Sequence, residues 1–254
     1  MRERGIVDIN AWTGIWGTFP VEGTVEQVRA RLQGVGVGRI CLAPLEAAWG
    51  HNPHVCNRVV YAAAKRFADI DPVPVIDPTI ATWAEEVEKA RRHPRVRLVK
   101  LLPNYSQYSV ADAGDLLAAL AAAGLAAIVQ IRLEDQRRQH PLAQVPDTPI
   151  EWALEAAQLQ GDLPVVIGGA AWSAIRTQGA ALLERDNLWA DISQADGMDS
   201  VAVMVREGLG GKLLFGSHAP LFEPLAGVAR VVADLEDETA LAILAGNARI
   251  LLGD

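Results

Sequence analysis

Eight short apolar runs, each bounded by Gly, Pro or Asn, alternate with alanine-rich stretches of helical period along the 254 residues. Such alternation constrains the fold strongly: a helix that follows each strand covers the sheet and returns the chain for another strand in the same direction. Strands are expected near Gly5 to Asn10, Arg39 to Ala43, Val73 to Asp77, Arg97 to Leu102, Ala126 to Ile131, Val165 to Gly168, Leu188 to Ile192 and Lys212 to Gly216. Helices are expected over Val25 to Gln33, Asn57 to Phe67, Trp83 to Arg92, Ala111 to Ala123, Glu151 to Gln160 and Glu238 to Leu252. A doubly wound open sheet gives the same alternation, but its first βα turn carries a glycine fingerprint that is missing after Ile9. The expectation is one domain, residues 1 to 254, folded as an α/β (β/α)8 TIM barrel.

A formal charge of −8 and a pI near 5.2 oppose encounter with nucleic acid or an anionic membrane, so the expected partner is a small molecule. No apolar segment reaches the ~18 residues needed to span a bilayer. Cys41 and Cys56 lack the spacing of a disulfide framework, which suggests a reducing, cytoplasmic setting. The alanine-rich helices leave a homodimer open.

In an α/β barrel the reactive groups come from the C-terminal strand ends and the loops that follow. That rule selects Asn10 and Trp12, Glu46, Asp77, Lys100 and Tyr105, Gln130 and Arg132, Gly168 and Gly169, Asp191 and Ser193, and Ser217 and His218, in strand order. No nucleophile elbow, phosphate loop or dinucleotide fingerprint accompanies them, and GVGVG at Gly34 to Gly38 precedes a strand rather than following one.

VDINAW near the start, RLVKLLPNY, LAAIVQ, PVVIGG, LLFGSHAP and the closing GNARILLG together resemble the amidohydrolase superfamily, in particular its amidohydrolase-related branch of decarboxylases and lactonases. The resemblance implies a metal-dependent-hydrolase-like barrel. It also assigns metal ligands, and the chain departs from each: Asn10 and Trp12 stand where two histidines are expected, Gln130 and Gly168 or Gly169 where two more are, and His218 where an aspartate is. Trp and Gly offer no donor to a divalent ion, so no metal is expected at the inherited place. Zn or Mn remains possible only through atypical ligands such as His218, Glu134, Asp135 or His140.

Two functional expectations follow. In the first, the chain hydrolyses or decarboxylates a small anionic substrate: Lys100 and Arg132 hold the anion, His218 moves protons, and Glu134, Asp135 or Asp191 is a second proton carrier. Lys100 and Arg132 have an alternative role, neutralising Glu46, Asp77 or Asp191 in a structural ion-pair network. In the second, the barrel is catalytically silent and binds a metabolite or partner subunit. The long connection Leu133 to Pro149, with Arg137, Arg138 and His140, is either an active-site lid or a solvated charged turn. His51 and His54 are expected at a helix start with Asn52 and Pro53, as surface imidazoles. Trp12, Trp16, Phe19, Trp49, Tyr105 and Tyr108 either wall an apolar pocket at the mouth or pack loops onto the rim.

Overall fold

The computed structural model describes residues 5–253. Eight strands run in parallel: β1 (Ile6–Thr13), β2 (Val37–Pro44), β3 (Ile70–Pro72), β4 (Leu98–Leu101), β5 (Ala126–Gln130), β6 (Val165–Gly168), β7 (Leu188–Asp191) and β8 (Leu213–Leu214). Continuous ladders join β1 to β3 and β4 to β8. Two sets of backbone bonds bridge the remaining seams. Between β3 and β4, the Lys100 N–H donates to Pro74 O at 2.9 Å and the Ile76 N–H to Lys100 O at 3.0 Å. Between β8 and β1, the Ile9 N–H donates to Phe215 O at 3.0 Å and the His218 N–H to Asn10 O at 2.9 Å. The result is the expected (β/α)8 barrel.

The third strand lies earlier than the sequence pattern suggests, at Ile70–Pro72 rather than Val73 to Asp77. Pro72 and Pro74 have no N–H, so the segment cannot sustain one ladder; Ile70–Pro72 pairs with β2 and Val75 then bridges to Lys100. Helices match the expected places closely at Val25–Gly34, Arg58–Arg66, Trp83–Arg92 and Glu151–Leu159. The first begins with a reciprocal cap between Thr24 and Gln27. The closing segment is interrupted by a π-turn at Ala242–Gly246 before Asn247–Leu252. There the Asn247 amide donates to Gly210 O and Leu213 O, both at 2.8 Å, pinning the helix to the start of β8.

Side chains alternate along each strand between two apolar layers. Ile40, Leu42, Val99, Leu101, Val129 and Ile167 pack outward against the helices. Val7, Ile9, Leu98, Ile128, Val166 and Leu214 fill the barrel. In β1 the register shifts between Asp8 and Ala11, so three steps along β1 match two along β2. That extra residue re-aims the strand end: Asn10 and Trp12 join the interior that Val7 and Ile9 already occupy. Among the described residues no helix is long and apolar enough to cross a membrane.

Candidate functional site

The residues at the C-terminal strand ends fall into two zones, a sealed polar cluster on the barrel axis and an open cavity beside it. Lys100, on β4, is fully buried at the centre of the first. Its ammonium donates to Asn10 Oδ1 and lies 3.4 Å from the centroid of the Trp12 ring. The other end of the Asn10 amide donates to Asp191 Oδ2 at 2.5 Å and to Gln130 Oε1 at 3.3 Å. Asp191 also accepts from the Gly169 N–H at 3.1 Å and, through Oδ1, from the Ser193 N–H at 2.8 Å. Asp8 Oδ1 accepts from the backbone N–H groups of Asn10 and Ser217 at 3.1 and 3.0 Å, while its Oδ2 is buried without a partner. Burial raises the Asp8 carboxyl to about 6 and also raises Asp191. Burial pulls Lys100 well below the usual lysine range, against the opposing pull of Asp191 and Asp8.

His218 follows β8 in a left-handed conformation, φ 57°, and is fully buried. Its Nε2 sits 2.8 Å from Leu133 O, so that nitrogen carries the proton and donates; the Gln194 amide lies 3.2 Å away. Nδ1 is buried with no partner. The ring packs against Trp12 and Phe222 with centroids 6.0 and 5.2 Å apart. Burial pushes its pKa down to about 3, so the imidazole is neutral at pH 7.

Three further aromatics roof the loops after β1, β2 and β4. Trp16, Trp49 and Tyr105 meet one another edge-on or tilted, with centroids 5.2 to 6.4 Å apart. Trp16 Nε1 donates to Glu134 at 3.0 Å and Thr18 donates to the same carboxylate, which ties the loop after β1 to the loop after β5. Trp16, Trp49 and Tyr105 therefore pack loops onto the rim, whereas Phe19 lines the open cavity and Trp12 lies inside the barrel; burial raises the Tyr105 hydroxyl above its ordinary range.

The open cavity, about 260 Å3, lies beside the roof over the ends of β5, β7 and β8. Arg132, Arg138 and Arg230 line it with Phe19, Phe222 and Asp196. Arg132 is oriented by a 2.6 Å bond from Nε to Gln194 Oε1, and Gln194 returns a bond to the Arg132 carbonyl at 2.8 Å. Asp147 forms a loose ion pair with Arg132 at 3.8 Å. Arg138 lies over the Phe19 ring, 5.0 Å from its centroid, and neither Arg138 nor Arg230 forms an ion pair among the described residues. Leu133, Gln194 and Phe222 are shared: each lines the cavity and also touches His218.

Several sequence expectations change here. Lys100 does not join Arg132 at one anion site, because the barrel wall and Trp12 enclose it while Arg132 borders solvent. Asp191 and His218 are wholly buried rather than at an open mouth. Asp135 lines the cavity but is held by Arg137 at 2.6 Å, which keeps its carboxyl far below the usual range. His140 is exposed, its ring accepts the Leu142 N–H within its own turn, and it lies outside the cavity. Asn52 and Pro53 start a helix as expected, but His54 is buried, accepting the Asp77 N–H at 3.1 Å and bonding Thr82. Arg230 was missed: it sits on the helix Pro224–Val232, distant in sequence from every strand end, and only packing brings it to the cavity.

The positions to which the resemblance assigns metal ligands do not fit a divalent ion. The Asn10 amide donates to both Gln130 and Asp191, Trp12 offers a ring face, and the His218 Nε2 proton is committed to a carbonyl. At Gly169, φ 64°, an added Cβ would come within 2.7 Å of Arg132 O, so no histidine fits without backbone movement. Glu134, Asp135, His140 and His218 do not converge either; among the described residues no group of three or more His, Cys, Asp or Glu could hold an ion.

No family model matches the chain, and no curated protein does. Solved structures do. An uncharacterized TIM-barrel protein from Bordetella bronchiseptica is 18% identical over 98% of both chains, with a TM-score of 0.72. A dihydroxybenzoic acid decarboxylase from Polaromonas, solved with manganese and the inhibitor 2-nitroresorcinol, is 11% identical over 98% of this chain and 96% of its own, TM-score 0.66. Enamidase, a member of the amidohydrolase superfamily, is 14% identical over 98% of this chain and 67% of its own, TM-score 0.66. The barrel read from the sequence is borne out: this chain shares the fold of these solved structures, a member of the amidohydrolase superfamily among them.

Proposed function

We propose that this chain takes a small carboxylic acid, anionic at neutral pH, into the arginine-lined cavity, and that it does so without a metal at the inherited place. The observation that carries the reading is the pair Arg138 and Arg230, which face a cavity and form no ion pair within 4.0 Å among the described residues, Asp196 acting on Arg230 only at longer range. Guanidinium groups bind carboxylates through paired, charge-assisted bonds, and a partly dry wall strengthens them. Phe19, Leu221 and Phe222 provide apolar contact for the rest of the ligand. At about 260 Å3 the cavity lies below the ~300 to 1,000 Å3 of drug-sized sites, which limits the ligand to something near one ring.

Decarboxylation or hydrolysis of that acid is the catalytic form of the proposal, in keeping with the neighbours that are decarboxylases and hydrolases. The chain's own proton carriers would be Glu134 in the cavity wall and the neutral His218 one layer behind Phe222. Binding without turnover is a second reading, favoured by the sealing of Lys100, Asp191 and His218 away from solvent.

Calorimetric titration with benzoate, hydroxybenzoates and short dicarboxylates tests the first step. Binding of at least one of them, weakened tenfold or more in Arg138→Ala and Arg230→Ala and weakened again by salt, is expected. Unchanged affinity in both variants, or no binding at millimolar acid, overturns the proposal. Product analysis of the bound acids then separates turnover from binding.

A further inference from the structure

The replacements at the inherited ligand positions share a chemical logic that is independent of the cavity. Two carboxylates, Asp8 and Asp191, are fully buried beside β1 and β7, and Asp8 Oδ2 has no hydrogen-bond partner. Buried carboxylates require a compensating cation nearby, because each uncompensated charge is costly in a dry interior. Lys100 is the lysine whose charge acts on both. The residues around its nitrogen suit an ammonium better than a metal. Asn10 offers an amide oxygen, Trp12 offers the face of an indole, and an ammonium takes a π-face that a divalent ion does not. The Asn10 amide is oriented by the donors and acceptors at its two ends, lysine on Oδ1, Asp191 and Gln130 on Nδ2, so it couples the cation to the carboxylate across the axis.

We infer that the Lys100 ammonium is the built-in cation of this barrel end, balancing Asp8 and Asp191 where the resemblance read from the sequence places a metal ion, with Asn10 and Trp12 as its shell. The histidine-to-asparagine and histidine-to-tryptophan changes are then one adaptation: both remove metal donors and both supply what an ammonium needs.

A thermodynamic cycle on the full chain tests this. Lys100→Met leaves the carboxylates uncompensated and is expected to lower the folding equilibrium constant by roughly 100-fold or more. Adding Asp8→Asn, which keeps the acceptor for the Asn10 and Ser217 N–H groups, is expected to restore about tenfold or more of that loss. A Lys100→Met chain that folds only when Asp8→Asn is present is the same result in extreme form. Equal effects of Asp8→Asn in both backgrounds overturn the inference. Should neither variant fold, lysine-selective 15N spectra of the wild type at pH 7 decide. The chain has four lysines, so Lys100 is assignable. A solvent-shielded NH3+ signal is expected, and a neutral amine at Lys100 overturns the inference. Stoichiometric zinc or manganese in the purified wild type, with loss of thermal stability on chelation, overturns it as well.

Discussion

Replacing His218 with Asn isolates the effect of sealing an imidazole inside the barrel end. Asn is suited to the site because it tolerates the left-handed φ of 57° that most residues resist. It also cannot titrate. The folded-state pKa of His218 is depressed from 6.5 to about 3 by burial, so the neutral ring contributes stability that is present above pH 6.5 and is lost as pH falls toward 3. In the unfolded chain the ring is almost wholly protonated at pH 5, whereas in the folded chain it is not. From 1.36 kcal/mol per pKa unit, the wild type should lose about 2 kcal/mol of stability through this group between pH 7 and pH 5, and about 4 kcal/mol by pH 3, where the folded ring is itself half protonated. His218→Asn removes a ring and leaves space, which costs stability at every pH and cancels when slopes are compared. Urea unfolding of both proteins at pH 7, 6 and 5 gives the slopes. The wild type should fall more steeply than the variant by about 2 kcal/mol over that range. Parallel curves would mean that the folded imidazole titrates like a free one, and the sealed barrel end described above would be wrong.

Asp8→Asn should change the pH dependence in the opposite sense. The Asp8 pKa is raised from 3.8 to about 6, so the stability contributed by its protonation is complete below about 4 and lost as pH rises through 6. The Asn variant should gain up to about 3 kcal/mol on the wild type between pH 4 and pH 8 in the same unfolding measurement. Gly169→Ala should cost about 1 to 3 kcal/mol, since φ is 64° and the new Cβ would press on Arg132 O at 2.7 Å; an unaltered melting temperature would show that the turn after β6 yields freely.

The barrel was legible in the sequence because strand and helix periodicities are local properties: eight apolar runs and their intervening helices follow from which residues recur every two or every 3.6 positions. The absence of the expected histidines at Asn10, Trp12 and Gly169 was legible too, since side-chain chemistry travels with residue type. What the sequence could not carry was facing. A register shift between Asp8 and Ala11 turns Asn10 and Trp12 inward, and no local pattern marks it. The two prolines at 72 and 74 divide the third strand, although the apolar run through Val73 and Ile76 reads as unbroken. Lys100 and Arg132, both cations at strand ends, look equivalent in sequence. Only the tertiary structure separates them, because the barrel wall and Trp12 enclose one while the other stands at the wall of a cavity. Arg230 reaches that cavity from a helix after β8, a contact that depends on how the helix packs rather than on spacing along the chain. Residue identity thus determined the barrel and the chemistry its ends lack, and burial, which is set by residues far apart in sequence, decided which charges meet solvent.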